Sequence, residues 1–218
     1  MRPEGATPTG AERGSPGAAA VILAAGASQR FFGQPKALLP VGSETAIERV
    51  TRLAGASGFA PVIVVAGPHI REIEAALHDR SVELVENPDW HLGRTGSVQV
   101  GLRAAGDGVP VLLWPVDHPF VDRSSVDTLL RVGREDPLAL WLIPTFQGHG
   151  GHPVLIRDRA LRRIGELEPF APLRFLLPGL GPEVRRVPVR DPGVAENIDT
   201  PDAYRDSLEA WRAREAES

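Results

Sequence analysis

The fold is decided by the stretch Ala19-Ala20-Val21-Ile22-Leu23-Ala24-Ala25-Gly26-Ala27-Ser28-Gln29-Arg30-Phe31-Phe32-Gly33-Gln34-Pro35-Lys36. It begins with an apolar run of strand length and continues into a loop of small residues. Small side chains let backbone N–H groups approach an anion, and Arg30 and Lys36 add positive charge beside them. The P-loop pattern G-x-x-x-x-G-K-[ST] and the dinucleotide pattern G-x-G-x-x-G are both missing here. Taken alone, the stretch fits a nucleotide site and an ordinary strand-to-loop turn equally well.

Similar apolar runs recur along the chain, at residues 61–67, 82–86, 109–116 and 138–144. They are continuous rather than alternating, which is typical of strands buried on both faces of a mainly parallel sheet. Helical patterns lie between and after them, near residues 43–48, 68–78, 98–102, 124–130 and 200–204. This alternation predicts an α/β fold with one doubly wound, Rossmann-like sheet, whose ligands bind beyond the carboxyl ends of the strands.

The predicted domain occupies residues 19–218 and follows a tail, residues 1–18, that is rich in Gly, Pro, Ala and Thr. We expect this tail to be disordered and not to be a signal peptide, because it has no apolar core region. Two segments rich in Pro and Gly, residues 145–153 and 178–193, are predicted to be functional or connecting loops.

Composition narrows the function classes. The 218 residues carry a net charge of -4, which argues against a nucleic-acid-binding protein. The chain has no cysteine, so thiol catalysis, zinc-thiolate sites and disulfides are excluded, and a reducing cytoplasm is the expected location. No apolar run reaches membrane-spanning length. We therefore expect a cytoplasmic protein without a nucleic-acid or membrane partner.

Two aspartates are candidate metal ligands. Asp117 follows the apolar run at 109–116 and stands between Pro115 and Pro119, which would present its carboxylate rigidly at the ligand-binding edge. Asp199 precedes Thr200-Pro201, the predicted start of the last helix. Mg²⁺ typically takes one or two carboxylates together with substrate phosphates. The alternative is structural: Asp117 would cap a turn and Asp199 would cap the helix.

Two further loops carry candidate binding residues. Gly148-His149-Gly150-Gly151-His152 leads into the apolar strand Val154-Leu155-Ile156, and it suits a substrate contact or a purely structural loop. A zinc site on the two histidines would need further ligands that the sequence does not offer. The segment from Asn87 to Ser97 opens a helix, and its amides and hydroxyls suit a base, a ribose, an anion or a simple helix cap.

These five segments together resemble the MobA-like NTP transferase family, and most closely its molybdenum-cofactor cytidylyltransferase branch. The family signature L-A-A-G-x-S-x-R-[FM]-G-x-P-K-x-L-L is matched from Leu23 to Leu39, with one extra residue at Phe31-Phe32. The marks N-P-x-W-x-x-G, P-x-D-x-P, G-H-P-V-L and D-T-P follow in the same order, and the resemblance spans about residues 19–205. It implies the fold of nucleotide-diphospho-sugar transferases.

The resemblance also implies a role for each candidate residue. Arg30 and Lys36 would neutralise a triphosphate, and Asp117 and Asp199 would bind Mg²⁺. Gly151 and His152 would approach the acceptor. The remaining nucleotide-binding residues would be Leu23, Ala24, Ala25, Gly26, Asn87 and Ser97.

The implied reaction is attack by an acceptor phosphate on the α-phosphorus of a nucleoside triphosphate, with pyrophosphate leaving. Ala25 favours CTP, and the implied acceptor is molybdopterin, with a molybdoenzyme apoprotein as a further partner. Three alternatives remain open: a GTP-using guanylyltransferase, a sugar-1-phosphate nucleotidyltransferase, and a non-catalytic chaperone that carries the cofactor to a molybdoenzyme.

Overall fold

The structure is a computed structural model that describes residues 17–78 and 80–217. Most of the tail predicted to be disordered, residues 1–16, lies outside the described residues. Its last residues, Gly17 and Ala18, are described, and the Ala18 carbonyl accepts a hydrogen bond from Ala60 N–H at 3.0 Å. The ordered domain therefore already includes Ala18.

Ten strands and seven helices alternate along the described chain. The strands are β1 Ala19–Ala24, β2 Pro40–Val41, β3 Glu44–Thr45, β4 Val62–Ala66, β5 Glu83–Glu86, β6 Val111–Pro115, β7 Trp141–Phe146, β8 His149–Gly150, β9 Val154–Ile156 and β10 Val184–Pro188. The helices are α1 Ala46–Ala56, α2 Ile70–Leu77, α3 Arg94–Ala105, α4 Arg123–Glu135, α5 Asp158–Gly165, α6 Leu177–Leu180 and α7 Pro201–Glu217.

The central sheet has the strand order β10-β7-β9-β6-β1-β4-β5. β1 pairs in parallel with both β4 and β6, β4 with β5, and β10 with β7. β9 runs antiparallel between β6 and β7, and β8 forms a short hairpin with β7. The prediction of a doubly wound, mainly parallel α/β sheet is confirmed, with these antiparallel strands as an addition.

Both faces of the sheet are buried, as the continuous apolar runs predicted. Along β1, Ala20 and Ile22 pack into one core cluster, whereas Val21 and Leu23 pack into the other. Helices α1, α2, α4 and α7 cover the first face, and α3, α5 and α6 cover the second. α3 lies very close to the sheet, since a Cβ on Gly101 would come within 2.3 Å of Val21 Cγ1.

Several predicted boundaries are wrong. α3 begins at Arg94, before the predicted start at 98, and so contains Ser97 in its first turn. The segment 178–193 is not a plain loop, because it contains the edge strand β10. The segment 145–153 contains the end of β7 and the short strand β8. No helix in the described ranges is long and apolar enough to cross a membrane.

Candidate functional site

The loop after β1 folds back on itself through one serine. Ser28 adopts a left-handed backbone conformation, with φ of 51°, and its Oγ accepts a hydrogen bond from Lys36 N–H at 2.9 Å. Two short 3-10 turns, Gln29–Phe31 and Lys36–Leu38, lie on either side of the loop's tip. This contact fixes the backbone of Lys36 close to the start of the loop, so that both loop cations reach the same cavity.

The extra residue at Phe31-Phe32 is accommodated by turning one ring inward and the other outward. Phe31 is 6% exposed and belongs to the core, whereas Phe32 is 97% exposed. Phe32 has φ of 54°, a left-handed conformation that ends the 3-10 turn. Arg30 keeps its place on the cavity wall despite the additional residue.

The first cavity lies at the carboxyl ends of β1 and β6 and has a volume of about 440 Å³. Nine of the residues predicted to form the site line it: Leu23, Ala24, Ala25, Gly26, Arg30, Lys36, Ser97, Asp117 and Asp199. Trp90 and Arg94 line it as well, although the sequence analysis assigned them no role. Four of the five sequence segments therefore converge on one cavity from widely separated parts of the chain.

Backbone hydrogen bonds bring the two candidate metal ligands together. Asp117 follows β6, and Val116 N–H donates to the Leu23 carbonyl at 3.0 Å, which ties this turn to the end of β1. Ile198 N–H donates to the Asp117 carbonyl at 2.9 Å. Asp199, the next residue, is thereby held beside the Asp117 turn.

Neither aspartate acts as the cap that the structural alternative required. Among the described residues, Asp117 Oδ1 is buried and has no hydrogen-bond partner. The cap of α7 is Thr200, whose Oγ1 accepts a hydrogen bond from Ala203 N–H at 3.1 Å. Asp199 instead accepts a hydrogen bond from Lys36 Nζ at 2.7 Å. Both carboxylates are thus available at the cavity.

Three cations surround these carboxylates. The hydrogen bond from Lys36 lowers the pKa of Asp199, against the opposing effect of burial, and Arg30 and Arg94 lower it further. Arg94 Nη2 lies 3.8 Å from Asp117 Oδ2. The site therefore holds two carboxylates beside Arg30, Lys36 and Arg94, which is a suitable arrangement for a triphosphate and a divalent cation.

The residues present fit a magnesium ion. Asp117 Oδ1 is a buried carboxylate oxygen without a hydrogen-bond partner among the described residues, and burying such an atom is costly unless a ligand or a cation satisfies it. Mg²⁺ prefers oxygen ligands and needs few of them from the protein when phosphates are present. In the parts of the chain that the structure describes, no three His, Cys, Asp or Glu side chains cluster to hold a metal.

Asn87 supports the cavity from behind. It is 3% exposed and does not line the cavity, and its Nδ2 donates to Ser97 Oγ at 2.9 Å. Asn87 therefore reaches the cavity through Ser97. Gly67 packs closely behind the loop after β1 and has no room for a side chain. A Cβ on Gly67 would lie 2.5 Å from the Ala25 carbonyl oxygen and 3.0 Å from the Trp90 ring.

A second cavity, of about 630 Å³, adjoins the first. Leu23, Arg94 and Pro115 line both cavities, so the two meet at the ends of β1 and β6. Gly151 and His152, the two residues predicted to approach the acceptor, line the second cavity only. Gly151 has no room for a side chain, since a Cβ there would lie 1.8 Å from the Val194 carbonyl oxygen.

His152 is partly buried and packs at a tilted angle against a second histidine. Its ring centroid lies 4.9 Å from that of His118. Burial is the main cause that lowers the pKa of His152 to about 3, and the charges of His118 and Arg94 act in the same direction. Burial likewise lowers the pKa of His118, although the Asp117 carboxylate opposes the shift. The two rings therefore form a packed pair behind the Asp117 turn.

Arg94 is the site residue that sequence reasoning missed most clearly. It opens α3, whose first turn is tied to a distant segment: Thr95 Oγ1 donates to the Ala171 carbonyl at 2.6 Å, and Gly96 N–H donates to the Pro169 carbonyl at 3.1 Å. This contact closes the second cavity on one side and leaves Arg94 at the junction. The available signal was a cation directly after Gly93 at a helix start, which is too common to single out.

Comparisons with known proteins agree with this geometry. Residues 20–183 match the model of a protein family described as "MobA-like NTP transferase domain". The chain is 32% identical over 146 residues to nicotine blue oxidoreductase of Paenarthrobacter nicotinovorans. The matched region covers 65% of this chain and 71% of that protein. It is 37% identical over 124 residues to the bifunctional IPC transferase and DIPP synthase of Rubrobacter xylanophilus, but the match covers 28% of that longer protein and 54% of this chain.

Solved structures share the fold over nearly their whole length. The Rv0371c protein of Mycobacterium tuberculosis H37Rv has 27% identity and a TM-score of 0.72, covering 88% of this chain and 98% of its own. Its manganese complex has a TM-score of 0.74 at 25% identity, covering 89% of this chain and 99% of its own. A nucleotidyl transferase from Methanothermobacter reaches a TM-score of 0.78 at 24% identity, covering 92% and 100%.

The domain match covers most of the chain, and the fold is that of nucleotidyltransferases. The protein therefore belongs to the MobA-like NTP transferase family and is a nucleotidyltransferase.

Proposed function

We propose that the protein transfers a nucleoside monophosphate from a nucleoside triphosphate in the first cavity to a phosphorylated acceptor in the second, with Mg²⁺ as the cofactor. One observation carries the proposal: the two cavities meet at Leu23, Arg94 and Pro115, directly beside Asp117. Two reactants bound on either side of this junction would have their reacting phosphates next to each other and next to the carboxylates.

The nucleotide would bind along the loop after β1. The backbone of Leu23, Ala24, Ala25 and Gly26 would hold the base and ribose, with Ser97 on the opposite wall. Arg30 and Lys36 would bind the triphosphate through charge-assisted hydrogen bonds. Because Lys36 Nζ is paired with Asp199, it would exchange this partner for a phosphate oxygen when the nucleotide binds.

Asp117 and Asp199 would hold the Mg²⁺ ion. When bound, the ion supplies charge neutralisation of the triphosphate as negative charge develops on the leaving pyrophosphate. Support comes from the unpartnered Asp117 Oδ1 and from a structural relative that is a complex with manganese.

In the transfer step, an acceptor phosphate oxygen forms a bond to the α-phosphorus, and the bond from that phosphorus to the oxygen of the leaving pyrophosphate breaks. A phosphate monoester has a second pKa near ~6, so it is already dianionic at neutral pH and needs no general base. The protein's contribution is to position both phosphates and to neutralise charge. Lys36 and Arg94 are placed to do so on the nucleotide side and at the junction.

We further propose CTP as the nucleotide and molybdopterin as the acceptor, with a molybdoenzyme apoprotein receiving the product in the cytoplasm. The support comes from the sequence motifs that resemble those of the molybdenum-cofactor cytidylyltransferases. Ala25 in the opening signature supports CTP, and Gly151 and His152, which line the second cavity, support the acceptor. A guanylyltransferase would share every charged residue of the site. A cofactor carrier without turnover is disfavoured, because it would not need to retain Lys36, Asp117 and Asp199 at one cavity.

One relative is called an oxidoreductase, and this gives a second candidate function. An oxidoreductase would need an electron donor, and the loop after β1 lacks the G-x-G-x-x-G pattern that dinucleotide-binding folds use for their pyrophosphate. The retained carboxylates and cations favour transfer. Including NADH and NADPH in the binding experiment distinguishes the two functions.

The test is a thermal-shift panel of CTP, GTP, UTP, ATP, NADH and NADPH, with and without Mg²⁺. A ligand at ~100 times its dissociation constant stabilises the fold by ~2.7 kcal/mol, which should raise the melting temperature by roughly 5–10 °C. We expect a Mg²⁺-dependent shift with CTP. A shift with GTP alone would overturn the proposal that CTP is the nucleotide, but it would still support nucleotidyl transfer. A shift with the dinucleotides alone would overturn the proposed function.

A further inference from the structure

The second cavity has an unusual combination of walls. Its floor is apolar and comes from the sheet, with Leu113, Trp141, Ile143 and Val154 among its residues. The opposite wall comes from the segment around Phe170, which continues into α6. Among the residues that the structure describes, its charged lining residues are all arginines, and no Asp, Glu, Asn or Gln side chain lines it. Such a cavity attracts anions and flat apolar groups but offers few side-chain acceptors for hydroxyl groups.

The three arginines are not in the same place. Arg94 lines both cavities and stands at their junction, whereas Arg174 and Arg186 line the second cavity only. Arg186 projects from the edge strand β10 over the short strand β8, since its Nη1 would lie 3.3 Å from a Cβ on Gly150. Arg174 precedes α6, and its guanidinium lies 5.8 Å from the Phe175 ring centroid.

Arg174 and Arg186 are free to bind a ligand. Within residues 17–78 and 80–217, neither guanidinium forms an ion pair or a side-chain hydrogen bond. By contrast, nearby arginines are engaged: Arg159 pairs with Glu183, and Arg163 donates to the Gly179 carbonyl. Two uncommitted guanidinium groups that line one cavity, without a carboxylate among its lining residues, suit a ligand carboxylate, phosphate or other anion.

We propose that the acceptor carries a flat ring body and a second anionic group, remote from the reacting phosphate and bound by Arg174 and Arg186. The inference rests on the proposed function, because it takes the reacting phosphate to lie near Arg94. It disfavours simple sugar phosphates as acceptors. A sugar ring would expose several hydroxyl groups to Leu113, Trp141 and Ile143, which cannot accept hydrogen bonds from them.

Three probes of defined chemistry separate the contributions: 2-naphthyl phosphate, 6-phosphonooxy-2-naphthoate and glucose 1-phosphate. The first two share a ring and a phosphate, and only the naphthoate adds a remote carboxylate. Their dissociation constants are measured by titration calorimetry at low salt without nucleotide, so the result does not depend on the first cavity being occupied. CTP with Mg²⁺ is titrated separately into each protein.

For the wild-type protein, we expect the naphthoate to bind about tenfold more tightly than naphthyl phosphate, as a charge-assisted contact to arginine would give. The double variant Arg174→Gln/Arg186→Gln should lose this difference and keep its affinity for CTP. Arg185→Gln is the matched control, because Arg185 is the exposed neighbour on β10 and lines neither cavity. It should behave as the wild type does.

The outcomes separate the two proposals. Equal affinity for both naphthyl probes, no binding of either at millimolar concentration, or tighter binding of glucose 1-phosphate would each overturn the second-anion site. Failure of the wild type to bind any nucleoside triphosphate would instead overturn the proposed function. A tenfold preference that persists in the double variant would place the second anion elsewhere and contradict the assignment to Arg174 and Arg186.

Discussion

Lys36 Nζ lies 2.7 Å from Asp199 Oδ1, and this ion pair joins two residues that are 163 positions apart in the chain. The lysine side chain is 17% exposed and the aspartate side chain 43% exposed, so the pair borders the first cavity rather than the deep core. The lysine neutralises Asp199 when no ligand is bound. The same lysine is therefore both the counter-ion of a proposed metal ligand and the proposed ligand of a phosphate.

This double role predicts opposite effects of Asp199→Asn with and without metal. In EDTA, CTP should bind about two- to fivefold more tightly, since Lys36 no longer has to leave a carboxylate and one negative charge is gone. With Mg²⁺, the gain in affinity that the metal gives the wild type should be largely lost. Titration calorimetry measures both values.

The control for this substitution is Asp202→Asn, which removes an exposed carboxylate in the first turn of α7 that pairs with Arg205. It should leave CTP affinity unchanged in both conditions. Weaker binding of CTP to Asp199→Asn in EDTA as well as in Mg²⁺ would contradict the double role of Lys36.

The adjacent residues Phe31 and Phe32 offer a matched pair of substitutions. Phe31→Ala should lower the free energy of unfolding by about 3 kcal/mol, because it leaves a cavity where a buried ring packs. Phe32→Ala should change it by less than about 0.5 kcal/mol, because that ring is exposed to solvent. Denaturant unfolding provides both numbers. Equal losses would mean that the loop after β1 folds in a different register.

The stability of the protein should fall in mild acid because of His152. In the folded state the pKa of this histidine is about 3, whereas the unfolded chain binds its proton near the ordinary value of 6.5. As the pH falls below 6.5, only the unfolded state gains this proton, so stability is lost over that range. One such group contributes a loss of about 1.4 kcal/mol between pH 7.5 and pH 5.5.

The measurement is the free energy of unfolding of wild type and His152→Gln at these two pH values. The wild type should lose about 1.4 kcal/mol more than the variant. His149→Gln, which changes an exposed histidine in β8, should keep the wild-type dependence. A parallel pH dependence of wild type and His152→Gln would show that His152 is not a buried neutral group.

The parts of the fold that could be predicted are those whose burial is visible in sequence. β1 and β4 are buried on both faces and therefore appear as continuous apolar runs. β10 was missed because it is an edge strand whose Arg185 and Arg186 are exposed. α5 was missed because only Ala160 and Ile164 of its eight residues are buried, which leaves too short a pattern.

The candidate site divides in the same way. Lys36, Asp117 and Asp199 could be predicted because each stands in a short motif next to a strand or a helix start. Arg94 could not, since its position depends on the contact between Gly96 and Pro169, which are far apart in sequence. Arg174 and Arg186 of the second cavity were hidden for the same reason: they come from the turn before α6 and from β10, which the fold brings to one cavity.

The most direct test of the account is the rate of pyrophosphate release from CTP with Mg²⁺ and molybdopterin as the acceptor. The wild type and Asp117→Asn are compared, with Asp127→Asn as the control, because Asp127 is an exposed carboxylate on α4 that pairs with Arg123. We expect pyrophosphate release that requires both the acceptor and Mg²⁺. The rate should be at least ~10²-fold lower for Asp117→Asn and normal for Asp127→Asn. Equal rates for wild type and Asp117→Asn would contradict it.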